Sequence, residues 1–333
     1  MEKLITFLFL AFSFVVSSNG NSLAPAAYFF GDSGMDTGNN NYVKTIANVS
    51  RWPSGVDLNN QTGRFCNGKT IADFIAINLG LPMAPAYLSL NELARSKTTT
   101  GINYASGSCG ILSTTGETGC LTLQKQIEYF TSTLKQDLPK AIKCEEELRR
   151  YVSKSIFVLI IGANDMNPMV SRTLVELNEK LNPGSPKLKL GMPIPLIVVE
   201  KMGVLLLEQL TQHIKTLYEL GARKFLVSDY YGGVALQERV KPFSDAKFTY
   251  FETNALTKEV TEHPAKYGFK NIKDPCYNET QHLLCPNRKE YMKWDMAHTT
   301  EAANEIAGKD CFNDAYGGHA CKPLTLEELA KAP

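Results

Sequence analysis

The sequence lacks an excess of charge of either sign. Its 333 residues include 35 Lys and Arg against 34 Asp and Glu, which leaves a formal net charge of +1. Binding to a phosphate backbone needs a basic excess that this chain does not have, so nucleic acid is excluded as an expected partner. Hydrophobic residues make up 44% of the chain, and because that share suffices to bury a core, extended disorder is excluded as well.

Long hydrophobic runs are also scarce. Residues 4–16 form an apolar run that is shorter than the roughly 20 residues needed to cross a bilayer. Lys3 precedes this run and small polar residues follow it, a pattern typical of a cleaved signal peptide rather than of the alternative, a membrane anchor. We therefore predict a signal peptide over residues 1–20, one domain over residues 21–333 and no membrane span. The expected location is the secretory pathway, either outside the cell and in its wall or in the lumen of the endoplasmic reticulum or vacuole.

Metal-binding cysteine patterns are missing, although the chain has 8 cysteines. There is no CxxC and no Cys/His cluster at zinc spacing, so in an oxidising lumen disulfides are favoured over a metal site. Pairs close in sequence are the best candidates, while the connectivity stays open. These pairs are Cys109 with Cys120 and Cys276 with Cys285.

Three Asn-X-Ser/Thr sequons suit the same compartment, and each predicts a glycosylated surface loop. The predicted glycosylation sites are Asn48, Asn60 and Asn278.

Short apolar segments alternate with segments of helical spacing along the chain. Strands are predicted at residues 26–31, 155–161 and 224–228. Helices are predicted at residues 70–79, 121–134 and 204–220. This alternation predicts an α/β fold with a central parallel sheet that is covered on both faces and binds its ligand at the carboxyl ends of the strands. Residues 171–202 are rich in Pro and Gly, so we expect an excursion between the regular elements, which is either surface filler or a candidate wall of the substrate site.

Residues 63–70 (GRFCNGKT) match the phosphate-loop pattern GxxxxGK[ST] in full. A phosphate loop must leave a buried strand so that its amides point at the nucleotide, whereas the residues before Gly63 are polar. The segment is therefore interpreted as a structural turn that caps a helix at Thr70.

Four other segments carry residue types that acyl-transfer chemistry uses. Ser33 follows the first predicted strand in a Gly-Asp-Ser-Gly turn, which can present its hydroxyl. Asp295 and His298 lie three residues apart, so the carboxylate can accept from one ring nitrogen and leave the other as a base toward a serine. Asn164 and the Gly-rich segment 101–107 offer amide N–H groups, the donors that stabilise an oxyanion. Each segment alone is an ordinary turn, and only the set in this order is specific.

In these segments the sequence resembles the plant branch of the GDSL esterase/lipase family, within the SGNH hydrolase superfamily. Gly34 stands where the motif that names the family has Leu, a side chain that does no chemistry. The resemblance is carried by FFGDSGMDTGNN (29–40), GRFCNGKTIADFIA (63–76), GINYASGSCGIL (101–112), IGAND (161–165), GARKFLV (221–227), YGFKN (267–271) and CPNRKEYMKWDMAHTTEAAN (285–304).

The resemblance implies a role for each matching residue. Ser33 would be the nucleophile, His298 the base and Asp295 its orienting carboxylate, while the amides of Ser33 and Gly107 and the side chain of Asn164 would form the oxyanion hole. It further implies a three-layer α/β/α sandwich of flavodoxin-like type, no metal or organic cofactor, and a small-molecule or lipid carboxylic ester as substrate.

A second interpretation is that the protein belongs to the same family but has no catalytic activity. The C-terminal tail, residues 321–329, is similar to that of the myrosinase-associated and epithiospecifier-modifier-like branch, which includes catalytically silent binding proteins with a protein partner. The presence of all five site residues in this chain favours the enzyme.

Overall fold

The computed structural model describes residues 22–60, 63–230, 233–318 and 320–333. The predicted signal peptide, residues 1–20, lies outside the described residues. Within the described ranges, no helix has both the length and the apolar character needed to cross a membrane.

A five-stranded sheet with the order β1-β2-β3-β4-β9 forms the centre of the fold. The first four strands are parallel and β9 pairs with β4 in the antiparallel direction. Its strands are β1 Ala27–Gly31, β2 Ile156–Ile160, β3 Lys224–Ser228, β4 Lys247–Phe251 and β9 Cys321–Lys322. Two small ribbons are formed by β5 Asn271–Pro275 with β8 Tyr291–Lys293, and by β6 Tyr277–Asn278 with β7 Leu283–Leu284.

Helices cover both faces of the sheet. They are α1 Ile71–Asn78, α2 Glu92–Lys97, α3 Leu123–Ser132, α4 Leu138–Ala141, α5 Glu145–Lys154, α6 Arg172–Leu181, α7 Leu196–Glu219, α8 Gly233–Val240, α9 Thr253–Glu262, α10 Glu301–Phe312 and α11 Leu326–Lys331. Side chains alternate across the sheet, so that Phe30 joins the core under α3, α7 and α8, and Phe29 joins the core under α1, α9, α10 and α11. The predicted three-layer α/β/α fold with a mostly parallel sheet is confirmed.

Two differences from the sequence prediction concern the segment before residue 204 and the main sheet. Residues 171–202 contain α6 and the first turns of α7 in place of a wholly irregular excursion, because Pro195 caps α7 from outside the helix without breaking it. Strand β4 was not predicted, since its first two residues are exposed or half-buried and dilute the apolar pattern.

Three disulfides are formed, and they include both pairs that the sequence favoured. The bonds join Cys109 to Cys120, Cys276 to Cys285 and Cys311 to Cys321. Cys66 and Cys144 are free thiols, one buried and one exposed. Burial raises the pKa of the Cys66 thiol to about 12, which keeps it protonated.

Residues 63–70, which match the phosphate-loop pattern, end in a helix cap at Thr70, as expected. The Thr70 hydroxyl accepts from the amide of Asp73, and the Asp73 carboxylate accepts from the amide of Thr70, which completes a capping box. Lys69 pairs with Glu301, and a buried Arg64 pairs with Asp73.

Candidate active site

Ser33 lies two residues beyond the end of β1, at the carboxyl edge of the sheet. The strand ends at Gly31, where a Cβ atom would lie 2.7 Å from the carbonyl oxygen of Ile160 on β2. Only glycine permits this close approach of the two strand ends. The turn is then fixed by the amide of Gly34, which donates to Asp32 Oδ1 at 3.1 Å.

His298 reaches Ser33 from the segment between β8 and α10. Its Nε2 lies 2.8 Å from Ser33 Oγ, and its Nδ1 lies 2.8 Å from Asp295 Oδ2. The carboxylate is itself held by the amides of Ala297 and His298, which donate to Oδ1 at 2.8 and 2.7 Å. The amide of Trp294 donates to the carbonyl of His298 at 2.9 Å and closes the turn. The structure thus brings together three side chains from positions 33, 295 and 298.

The groups around Asp295 and His298 keep the Asp295 carboxylate ionised. Burial acts to raise the pKa of the Asp295 carboxyl, but the hydrogen bond and charge of His298, with the two amides, outweigh it and hold the pKa below its usual value. On the other side, the ring of Phe65 packs against that of His298 with 5.2 Å between centroids. The imidazole is therefore fixed by a carboxylate on one edge and an aromatic ring on its face.

Asn164 follows β2 in a short 3-10 turn, Ala163–Met166. Its Nδ2 donates one hydrogen to the carbonyl oxygen of Cys109 at 2.9 Å, which leaves the second hydrogen of the amide group available. The amide of Ser33 has no acceptor among the residues that the structure describes. Both groups are of the type that binds an oxyanion.

Gly107 is placed differently from the sequence expectation. Its amide donates to Asp36 Oδ2 at 3.1 Å, so it is engaged inside the protein and is not free for an oxyanion. The next residue, Ser108, lies on the wall of the cavity that holds Ser33, and its amide has no acceptor within the described part of the chain. Ser108 has a φ of 72°, a value that the tight turn imposes and that the sequence pattern did not signal.

Two buried carboxylates that the sequence analysis missed hold this loop. Asp36 accepts from the amides of Gly107 and of three residues in the turn after Ser33. Asp165 accepts from the amides of Ile111 and Leu112 at 2.8 and 3.1 Å. Burial raises the pKa of Asp36 to about 6 against the opposing effect of these amides, and burial likewise raises the pKa of Asp165. The one sequence signal for Asp36 is that it begins a polar segment, residues 36–40, shortly after the strand-end serine.

The extended segment before the loop runs beside β1. The amide of Phe29 donates to the carbonyl of Ile102, and the amide of Tyr104 donates back to the carbonyl of Phe29. This pairing on the free edge of β1 delivers Ser108 next to Ser33.

A cavity of about 560 Å³ opens on these groups. Ser33, Asn164 and His298 lie on its wall. The remaining wall is mostly apolar, and α1, β4, α9 and α10 contribute to it. Residues 171–202, all of them described, contribute nothing to this wall. Of the two alternatives for this segment, a wall of this cavity is therefore wrong, because α6 and α7 pack on the opposite face of the sheet.

The three predicted glycosylation sites differ in exposure. Asn60 is exposed, while Asn48 and Asn278 are half-buried; the last two residues of the Asn60 sequon lie outside the described residues. Among the residues that the structure describes, no group of three His, Cys, Asp or Glu side chains is placed to hold a metal ion.

A hydrogen-bonded Ser, His and Asp at the carboxyl edge of an α/β sheet is the arrangement of serine hydrolases. The chain belongs to the GDSL-like lipase/acylhydrolase family, whose model matches residues 28–311. Among its relatives is GDSL esterase/lipase 7 of Arabidopsis thaliana, which is 30% identical over 95% of this chain and 94% of its own length. Two further GDSL esterase/lipases of the same plant are each 31% identical, over 94% and 87% of this chain and 87% and 85% of their own lengths. These relatives support a hydrolase of ester bonds and give no support to a place in the myrosinase-associated branch.

Proposed function

We propose that the protein is a serine esterase or lipase that cleaves carboxylic esters through an acyl-enzyme on Ser33. The observation that carries this proposal is the continuous chain of hydrogen bonds from Asp295 through His298 to Ser33 Oγ, with 2.8 Å on each side of the imidazole. Distances of this length allow direct proton transfer between the ring and the hydroxyl.

In the first step Ser33 Oγ forms a bond to the ester carbonyl carbon while His298 Nε2 takes the hydroxyl proton. The bond to the alcohol oxygen then breaks, and His298 returns the proton to the leaving alcohol. Water repeats the sequence on the acyl-enzyme, and the carboxylic acid leaves. Asp295 holds the ring in the tautomer that has the proton on Nδ1 and stabilises the imidazolium that forms.

The negative charge on the carbonyl oxygen needs donors on one side of Ser33. We assign this role to the amide of Ser33, the free hydrogen of Asn164 Nδ2 and the amide of Ser108, in place of the Gly107 amide that Asp36 occupies. Three fixed donors stabilise the charge without any reorganisation as it develops.

We further propose that this chain acts as one domain over residues 21–333, after removal of residues 1–20 on the secretory route, with glycans at the three sequons. The three disulfides support an oxidising compartment. The catalytically silent alternative is not favoured, because the relatives described above are named as esterases or lipases.

Labelling with a fluorophosphonate probe tests the proposal directly. The native protein should form one adduct, mapped by peptide mass spectrometry to Ser33, and the Ser33→Ala variant should form none while keeping its unfolding temperature. Ser106→Ala is the matched control, since this buried serine bonds to Asn40 and lies outside the triad; it should still be labelled. Native protein that is folded and hydrolyses no ester, with no adduct on Ser33, would refute the esterase.

A further inference from the structure

The cavity beside the triad extends into the core between α9 and α10. Its wall there is built from buried and half-buried apolar side chains at the end of β4, on α9 and on the segments that follow. The principal members are Phe251, Leu256, Val260, Phe269, Ile306 and Ala307. The same residues belong to the hydrophobic core under this face of the sheet, and such cores normally contain few voids larger than a water molecule. An apolar hollow at this place in the core therefore needs a reason to stay open.

Specific anchors hold α10 away from α9. Gly308 of α10 sits so close to α1 that a Cβ atom would lie 2.7 Å from the Cβ of Phe74. The side chain of Asn78 donates to the carbonyl of Gly308 at 2.9 Å, and the side chain of Asn304 donates to the carbonyl of Lys69 at 3.0 Å. Because α10 is fixed to α1, it cannot move across to close the gap toward α9.

The wall of the hollow also lacks the charges that a polar ligand would need. Among the described residues that line it there is no Lys, Arg or Glu, and Asp32, beside Ser33, is the one carboxylate. An uncharged aliphatic chain gains free energy on entering such a space, whereas a charged or strongly hydrated group would lose its solvation without compensation.

We propose that the hollow between α9 and α10 binds the acyl chain of the ester, so that the preferred substrates carry medium-length, unbranched acyl groups. The whole cavity, from the triad to the hollow, measures about 560 Å³, which at about 30 Å³ for each water-sized group gives room for roughly 19 such groups. This holds an acyl chain of about 8 to 12 carbons together with its ester head. The acyl group is assigned to the hollow because it stays bonded to Ser33 through both steps. The alcohol must leave between the two steps, so it is assigned to the side of the triad that faces solvent. The inference rests on the proposed esterase function.

The first experiment separates the two sides of the ester. Methyl decanoate and nonyl acetate have the same composition, but the long chain is on the acyl side in one and on the alcohol side in the other. The native enzyme should have a kcat/KM at least tenfold higher for methyl decanoate. A preference for nonyl acetate would overturn the assignment of the acyl group to the hollow.

Filling the hollow gives the second test. Ala307→Phe should lower the ratio of kcat/KM for methyl decanoate to kcat/KM for methyl acetate by about 10- to 100-fold. Ala302→Phe is the matched control, because Ala302 lies on the same helix and does not line the cavity; it should leave the ratio of the two esters unchanged. If Ala307→Phe does not fold, Leu256→Ala, which enlarges the hollow, should shift the preferred acyl length upward. An unchanged chain-length profile in a folded variant of either kind would refute the proposal.

A binding measurement keeps this inference separate from the esterase proposal. Titration calorimetry of methyl decanoate on Ser33→Ala should show binding that the Ser33→Ala, Ala307→Phe double variant loses and the Ser33→Ala, Ala302→Phe double variant retains. If the native protein hydrolyses no ester but this pattern is found, the esterase proposal fails and the acyl hollow stands. Equal binding by the three variants, or none, would overturn the hollow whatever the activity.

Discussion

Asn164 and Ser108 contribute to the proposed oxyanion hole by different means. Asn164 offers a side-chain N–H, which is lost when the residue is replaced by Ala. Ser108 offers a backbone N–H, which most substitutions keep. The Ser108 hydroxyl is not a proposed donor, since it accepts a hydrogen bond from the amide of Glu117 at 2.9 Å. The two positions therefore respond differently to mutation.

Asn164→Ala should reduce kcat by about 10²- to 10³-fold with a small change in KM, because a donor to the developing charge is lost. Ser108→Gly keeps the amide and favours the left-handed φ of 72°, so its kcat should stay within about threefold of the native value. Steady-state kinetics on a short-chain ester measures both. A loss in Ser108→Gly as large as that in Asn164→Ala would show that the hydroxyl, and not the amide, is needed.

At the scale of elements, the disulfide between Cys109 and Cys120 constrains the loop that carries Ser108. The Cys109 carbonyl is also the acceptor for Asn164 Nδ2, so one short loop positions two of the three proposed donors. The bond between Cys311 and Cys321 closes a loop of nearly the same length in the C-terminal tail, with sequence separations of 11 and 10.

Replacing each pair by Ala should therefore lower the free energy of unfolding by similar amounts, about 2–3 kcal/mol, as loop closure predicts. Only the Cys109→Ala, Cys120→Ala variant should also lose kcat, by about tenfold or more, since it alone loosens the oxyanion loop. Denaturant unfolding and ester kinetics on the two double variants give the comparison. Equal kcat in both would mean that Asp36 and Asp165 position the loop without the disulfide.

For the molecule as a whole, buried carboxylates tie stability to pH. Burial raises the pKa of Asp32 from 3.8 to about 6, against the opposing amide of Gly34 and the charge of His298. Asp57 has the opposite shift, because its hydrogen bonds and ion pair with Arg288 outweigh partial burial and lower its pKa. A raised carboxyl pKa means that the folded state binds more protons than the unfolded state between about pH 4 and 6.

The contribution of Asp32 to stability is thus present below about pH 4 and is lost as the pH rises through 6. Asp32→Asn, whose amide oxygen can still accept from Gly34, should gain stability relative to the native protein over this range, by at most about 3 kcal/mol. Asp57→Asn should be less stable than the native protein at pH 7, and this difference should shrink as the pH falls below 4. Thermal unfolding of the three proteins from pH 3 to 7 measures both trends, and a difference for Asp32→Asn that does not depend on pH would contradict the first.

Much of the fold was determined by the sequence. The strand Lys224–Ser228 was predicted to the residue and β1 and β2 to within one residue at each end, because continuous apolar segments that end in Gly-containing turns are local signals. The start of α7 was not predicted, because it lies in a segment interrupted by several prolines. Strands β4 and β9 were not predicted, since their sequences are mixed in polarity and pairing with the sheet decides their conformation.

The sequence by itself also determined the chemical types at the site, a strand-end Ser33, the Asp295 and His298 pair, and Asn164. Only the tertiary structure decided which amide is free: Gly107 and Ser108 are adjacent, and the long-range hydrogen bond to Asp36 engages the first and leaves the second. The cavity was likewise beyond the sequence, because its wall comes from many segments between residues 32 and 307, and the apolar ones resemble any core segment. The spacing of residues along the chain determines local structure. The volume of the cavity instead depends on the long-range contacts between α1 and α10, which keep α10 from packing against α9.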